Sequence, residues 1–170
     1  PLMRCLAAHH RHDEVVRLAR PFLVQDRDVD DERFDLWLLA AASLARSSGN
    51  DPAIALLREG LADDARSIEQ RVDILTTMAR LQWYDRDVDD LRRSADEALR
   101  LSRAARYLKG EVDALCVLSE SAALVGDAQQ ALRDAEDAVR LAARVRGRPS
   151  TVPQLALGVA LVGSGRLREG

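Results

Sequence analysis

The sequence predicts an all-α protein built as a solenoid of antiparallel helix pairs. Three observations carry that expectation. The first is an internal repeat of about 40 residues. Aligning Leu75 with Leu115 brings Met78 onto Leu118, Leu91 onto Ala131, Ala95 onto Ala135, Ala98 onto Ala138 and Leu101 onto Leu141 without a gap. A period of this length marks one supersecondary unit that cannot bury its apolar face alone and must stack on its neighbours. The second observation is that apolar residues recur at steps of three and four along most of the chain, the spacing of one helix face. The third is the turn chemistry between these stretches, Gly49-Asn50-Asp51-Pro52 and Gly126-Asp127, which ends one helix and starts the next. Stacked units of this kind offer an extended binding surface rather than a catalytic pocket.

Taken in order, Leu2 to His9 and Asp13 to Val24 read as a first pair that lacks its start. Pro21 inside the second of these helices removes one backbone donor and crowds the carbonyl of Arg17, which predicts a kink. Phe34 to Arg46 is the next first helix. Gly49-Asn50 is its turn, Asp51 the expected N-cap, Pro52 the first helical residue and Ala53 to Ala62 the partner helix. Val72 to Tyr84 and Val88 to Ala104 form the third pair. Val112 to Leu124 carries a stripe through Val112, Leu115, Leu118, Ala122 and Val125. Gly126 stops that helix in the left-handed conformation and Asp127 caps the next. The following helix bears Ala131, Leu132, Ala135, Ala138, Val139 and Ala142, with small residues spaced to admit close approach of a neighbour. After the break at Pro149-Ser150, Val152 to Val162 opens a fifth unit that Gly163 and Gly165 stop. The approximate units are 1–27, 28–66, 67–105, 106–148 and a partial 149–170, with Ala19, Leu57, Ala95 and Ala135 at equivalent places. The chain opens inside a first helix and closes where a second should begin. A single repeat domain over 1–170, excised from a longer protein, is therefore expected, with Leu155, Leu157, Val159 and Leu161 partly uncovered and prone to self-association.

Composition narrows the function classes. In 170 residues, 47% are apolar and 31% charged, with mean hydropathy −0.21, enough for a core and too polar for a membrane protein. No apolar run reaches the roughly 18 residues of a membrane span. The net charge of −3 argues against direct nucleic-acid binding, whose domains are basic. Cys5 and Cys116 stand alone, which predicts two buried thiols in a reducing compartment, hence a cytoplasmic protein. Arginine replaces lysine almost completely, Lys109 being the only one, a bias matching a GC-rich bacterial genome.

The run Gly126-Asp127-Ala128-Gln129-Gln130-Ala131-Leu132, followed by Ala135 and Ala138-Val139, resembles the turn and second helix of a tetratricopeptide repeat. Trp37 falls where that family often places a Trp on the first helix, and Ala41, Ala79, Ser119 and Gly158 fit its small-residue position. The resemblance implies a right-handed α-solenoid of about four and a half units. Units of 38 to 40 residues exceed the family's usual length of about 34, and Arg86 stands where a turn glycine is expected. Long units rich in Ala, Leu and Arg are similar to those of large bacterial ATP-binding transcriptional regulators of the LuxR type. Neither a phosphate-binding loop nor a basic recognition helix is present in this stretch, so the resemblance implies the sensor or scaffold segment of such a protein.

Several clusters invite chemical readings. His9, His10 and His12 are zinc-type ligands, but adjacent helical side chains diverge and the four converging ligands of a structural site are not spaced for. Asp26-Arg27-Asp28-Val29-Asp30-Asp31 recurs unchanged as Asp85-Arg86-Asp87-Val88-Asp89-Asp90. A calcium loop needs glycine at its sixth place and glutamate at its twelfth; here those places hold Asp31 and Trp37, or Asp90 and Asp96. These aspartates read instead as helix caps. The arginines at 140, 144, 146 and 148 read as a solvated helix end. No Ser/His/Asp or Cys/His arrangement has spacing support, so neither an enzyme, a metal nor a cofactor is expected. In the tetratricopeptide fold the first helices line a concave groove, which implies Arg4, Arg46, Asp73, Thr76, Arg80, Trp83, Tyr84, Asp113, Cys116 and Glu120 as groove residues. Trp83, Tyr84 and Arg80 are of the types that dominate binding energy, with packing between repeats as the competing role for Trp83. The expected partner is a protein or peptide, including other domains of the same parent. A small-molecule effector, or self-assembly, is the alternative.

Overall fold

The computed structural model describes residues 2–24, 31–63, 66–85, 87–145 and 152–165, with the side chains of 20–24 and 31 outside the description. Among the described residues there are nine helices and no strand: α1 (Leu2–Ala8), α2 (His12–Val24), α3 (Asp31–Ser48), α4 (Asn50–Leu61), α5 (Ile68–Asp85), α6 (Val88–Ala105), α7 (Leu108–Leu124), α8 (Ala128–Ala142) and α9 (Val152–Gly163). The all-α expectation holds. The Pro21 side chain, the first Asp-rich copy up to Asp30, Arg86, the arginines at 146 and 148 and the Pro149-Ser150 break lie outside the described residues.

Cap chemistry sets several boundaries. The Asp87 carboxylate accepts the Asp90 N–H at 3.1 Å, and Asp127 accepts that of Gln130 at 3.0 Å, so both aspartates are N-caps as expected. At the end of α7 the Asp127 N–H donates to the Ala122 carbonyl at 2.9 Å and the Gly126 N–H to Ala123 at 3.2 Å, with Gly126 left-handed at φ 81°. This double closure satisfies two carbonyls that the helix leaves free. The Asp51 expectation is corrected. Gly49 occupies the N-cap with no side-chain cap bond, and α4 starts at Asn50. The Asn50 side-chain amide is drawn away, donating to the Leu81 carbonyl at 3.3 Å and to Asp85 at 2.7 Å. Pro52 is then the third residue of α4, still in the first turn, where its missing N–H has no helical acceptor to lose. α5 and α7 begin four residues earlier than the apolar pattern suggests. Their first turns carry Glu69 and Glu111, which suit the positive end of a helix but give no apolar signal.

The same double closure ends α6, but with an arginine. The Tyr107 N–H donates to Ser102 at 2.8 Å and the Arg106 N–H to Arg103 at 3.3 Å, with Arg106 at φ 56°. A side chain in this region costs roughly 1–2 kcal/mol that glycine avoids, offset by the roughly 0.4–1 kcal/mol that glycine adds to unfolded-chain entropy. Arg106 is exposed. Arg106→Gly is therefore expected to raise stability by about 0.5–1 kcal/mol in urea unfolding, and a less stable variant would show that the arginine makes a contact of its own.

Packing is local in sequence. Every helix packs on the next one along the chain. α1, α3, α5 and α7 also pack on the odd-numbered helix that follows, and among the described residues no helix touches another farther away. The core is accordingly divided into four apolar clusters rather than one centre. Half-buried Leu99 packs against three of them. In the largest, Phe34 and Trp37 stack at 5.9 Å beneath the Arg66 guanidinium. The odd helices lie between neighbours: α7 buries Val112, Leu115, Cys116, Val117 and Ser121 on more than one face. The even helices bury one narrow row, Leu91, Ala95 and Ala98 on α6 and Ala131, Ala135 and Ala138 on α8. Ala19, Leu57, Ala95 and Ala135 are all buried.

Three packing expectations are corrected. Val125 is exposed, because α7 ends one residue before it. Cys5 is exposed, since α1 buries only Met3 and Leu6; Cys116 is buried as expected. Leu161 is buried and Leu157 half-buried, while Leu155 and Val159 stay exposed at 69% and 49%.

Candidate partner-binding groove

Two neighbouring depressions open on the side formed by the odd-numbered helices. One, of about 770 Å³, lies between α3 and α5, with Arg4 from α1 and Asn50 at its edge. Its floor is Leu38, Leu39, Ala42 and Ala45 of α3 and Leu81 of α5, and its rim carries Asp35, Arg46, Thr77, Arg80 and Tyr84. The other, of about 540 Å³, is formed by Arg80, Trp83 and Tyr84 of α5, Glu120, Ala123 and Leu124 of α7, and Leu155, Ala156 and Val159 of α9. Arg80 and Tyr84 belong to both and form the wall between them.

Trp83 lies between core and groove. It packs on the buried cluster of Ala79, Leu91, Ala95, Val117 and Leu118, and it also lines the second depression. Its ring meets that of Tyr84 edge-on at 5.2 Å. An edge-to-face contact of this kind holds aromatic rings in place beyond simple burial. Tyr84 itself is 67% exposed.

The other expected groove residues divide. Arg4 pairs with Asp35 at 2.9 Å on the rim of the first depression, where Arg46 also lies. Asp73 and Asp113 line neither depression, and a network between α5 and α7 engages both. Lys109 lies 3.0 Å from Asp73 and 3.4 Å from Asp113, the Tyr107 hydroxyl donates to Asp73 at 3.2 Å, and Arg80 donates to Asp113 at 3.2 Å. Burial raises the Asp73 carboxyl and Lys109 opposes the rise. Burial also works against the Lys109 ammonium, but Asp73 and Asp113 override it and hold its pKa above the usual lysine range. Thr76 is turned away. It is 3% exposed and its hydroxyl donates to the Val72 and Asp73 carbonyls within its own helix. Cys116 is 1% exposed, and burial, helped by Asp113, pushes its thiol up to about 12, so no thiolate is offered at neutral pH. The walls that sequence reasoning missed are the second apolar face of α3 and the exposed face of α9. Their signal is an apolar pattern on more than one side of an odd helix, which the single-stripe template hides.

Glu120 is half-buried, and burial raises its carboxyl while Arg80 opposes the rise. A raised native pKa means that the folded state binds this proton more tightly than the unfolded chain. Stability from this group therefore falls as pH rises from the ordinary carboxylate range through the native value. Glu120→Gln is expected to melt at a higher temperature than the parent at pH 7 and at the same temperature at pH 3.5. A gap that persists at pH 3.5 would show that the effect is not the carboxylate's charge.

Several side chains of the clusters that suggested metals are engaged by the protein's own contacts. His9 Nδ1 sits 2.9 Å from the Cys5 carbonyl and His12 Nδ1 3.4 Å from the Ser43 hydroxyl. Asp85 accepts from Asn50, Asp87 caps α6, and Asp90 pairs with Arg93 at 2.6 Å. Among the described residues no three His, Cys, Asp or Glu side chains converge as metal ligands, and no helix is long and apolar enough to cross a membrane. The chain matches no protein-family model, no curated protein and no solved structure.

Proposed function

We propose that this chain is a right-handed solenoid of tetratricopeptide-like helix pairs that binds a protein or peptide segment through the groove of its odd-numbered helices. It would serve as the interaction segment of a cytoplasmic bacterial signalling or transcription regulator of the LuxR type, with no direct contact to nucleic acid or membrane. The observation that carries the reading is the second depression. Trp83, Tyr84, Leu124, Leu155 and Val159 give it an apolar lining, while Arg80 and Glu120 supply one charge of each sign beside it. An aromatic and aliphatic trough with flanking polar groups is the surface that an amphipathic segment fits. Packing confined to helices one or two apart supports the solenoid, in which each pair rests only on its neighbours.

The test uses a peptide selected on the folded protein from a random library and titrated against variants. Replacing Trp83 and Arg80 together with alanine is expected to weaken binding by about 2 kcal/mol or more, the loss typical of interface hot spots. Tyr84→Ala, at a more exposed position, is the companion variant should the double variant lose helix. Unchanged affinity in variants with the parent's far-UV spectrum would move the site to the even helices. Sedimentation of the free protein separates partner binding from self-assembly through α9.

A further inference from the structure

The first depression has a chemistry different from that of the partner trough. We propose that it is a binding site for a small amphipathic carboxylate, with Arg46 meeting the carboxylate and the α3 floor holding the apolar body. The inference does not depend on the partner-binding reading.

Charge is the first ground. Three arginines line this depression against one aspartate, in a chain whose net charge is −3. Two of those arginines are already engaged, Arg4 with Asp35 at 2.9 Å and Arg80 with Asp113 at 3.2 Å. Arg46 is exposed and has no ion pair or side-chain hydrogen bond among the described residues. A guanidinium presents a planar fork of donors matched to a carboxylate.

The remaining lining decides what accompanies that anion. Leu38, Leu39, Ala42, Ala45 and Leu81 give the ligand an apolar bed. Two of the polar side chains at its edge are committed, the Asn50 amide donating to Leu81 and Asp85 and the Thr77 hydroxyl to the Asp73 carbonyl at 2.7 Å, while the exposed Tyr84 adds one hydroxyl to the rim. A sugar phosphate or nucleotide would leave most of its many hydroxyl and ring groups without partners here, and unpaired polar groups are costly when desolvated. One cation that is free among the described residues, beside an apolar floor, fits a monoanion with a hydrocarbon or aromatic body. The volume of about 770 Å³ lies within the ordinary range for small-ligand sites. Because Arg80 and Tyr84 wall both depressions, a ligand bound here would touch the same two side chains as a segment in the partner trough.

The test is calorimetric titration of the whole chain with octanoate, 1-octanol and acetate. Octanoate is expected to bind saturably at one site, with octanol and acetate at least about tenfold weaker, since the first lacks the charge and the second the tail. Arg46→Gln, a substitution on the surface, should weaken octanoate at least about tenfold and leave octanol unchanged. Ala42→Trp should fill the floor and abolish both. Absence of saturable octanoate binding, octanol binding as tightly as octanoate, or equal octanoate affinity in the Arg46→Gln protein would each overturn the proposal. Should Ala42→Trp fail to fold, the Arg46→Gln comparison still decides. Leu155 lines only the partner trough and Arg46 only the first depression, so octanoate binding that survives in a Leu155→Asp protein unable to hold its peptide keeps the two readings separable.

Discussion

Replacing Gly110 with valine is expected to cost about 3 kcal/mol, the upper end of typical overpacking penalties. Gly110 sits in the first turn of α7, where α5, α6 and α7 meet. A Cβ there would lie 2.5 Å from a ring carbon of Tyr107, 2.6 Å from a Val72 methyl and 2.8 Å from the Ser102 hydroxyl. None of these neighbours is free to retreat. Val72 is fully buried and β-branched, so its rotamer is stiff. The Ser102 hydroxyl is fully buried and donates to the Ala98 carbonyl at 2.7 Å. The Tyr107 hydroxyl is tied to Asp73 at 3.2 Å. For a chain of this size the melting temperature should fall by roughly 6–12 °C. Alanine at the same place meets the same atoms but gains about 1 kcal/mol of helix propensity over glycine, so it should fall between the parent and the valine variant. Because the clash includes Tyr107, the valine should also loosen the Tyr107–Asp73–Lys109 network. A valine variant that melts with the parent would mean that the three helices do not meet as described.

Replacing Ala138 with leucine is expected to cost about 1–3 kcal/mol, also by overpacking. Ala131, Ala135 and Ala138 are fully buried and pack in one cluster with Val112, Leu115 and Cys116 of α7 and Ala156 and Ala160 of α9. Three small side chains in a row let α8 lie close to both neighbours, and a Leu in that row has no void to enter. Glu136→Leu, on the exposed face of the same helix, is the control, with a change within about 0.5 kcal/mol as is usual for surface sites. Thermal melts of both variants check the assignment. Equal melts for Ala138→Leu and Glu136→Leu would mean that α8 is rotated from the orientation described.

Much of the fold was legible because its signals are short-range. The Asp87 and Asp127 caps act three residues away, and the Gly126 stop is made with carbonyls no more than five residues back. The alanine row on α8 is a helical period, readable in any window of a dozen residues. Arg106 shows where this reading ends. It takes the same left-handed turn as Gly126, yet no local residue preference announces it. Asn50 and Gly49 show a second kind of limit: the cap expected at Asp51 gave way because the Asn50 amide found acceptors on α5, more than thirty residues on.

The candidate groove was less legible than the helices that build it. Arg80, Trp83, Tyr84, Glu120, Arg4 and Arg46 do line the two depressions, while Thr76 and Cys116 turn inward and Asp73 and Asp113 pair with Lys109. A helix position specifies a direction about the axis, but whether that direction meets water or a neighbour depends on the helix two places along. Lys109 is the plainest instance. Its position in the sequence marked it only as an isolated lysine; its location between two carboxylates appears only when α7 rests on α5.

By itself, then, the sequence determined the helices, the length of the repeat, the N-caps at Asp87 and Asp127 and the small-residue row that lets α8 nest. These follow from backbone hydrogen bonding and apolar periodicity among residues a few positions apart. The tertiary structure alone decided that Trp83 is both packed and exposed to the groove, that Gly110 is a point of closest approach, that Asp73 and Asp113 share a lysine, and that Arg46 finds no partner among the described residues above an apolar floor. Each of these depends on side chains brought together from helices tens of residues apart. Burial, pairing and free space are properties of that juxtaposition rather than of any single stretch of chain.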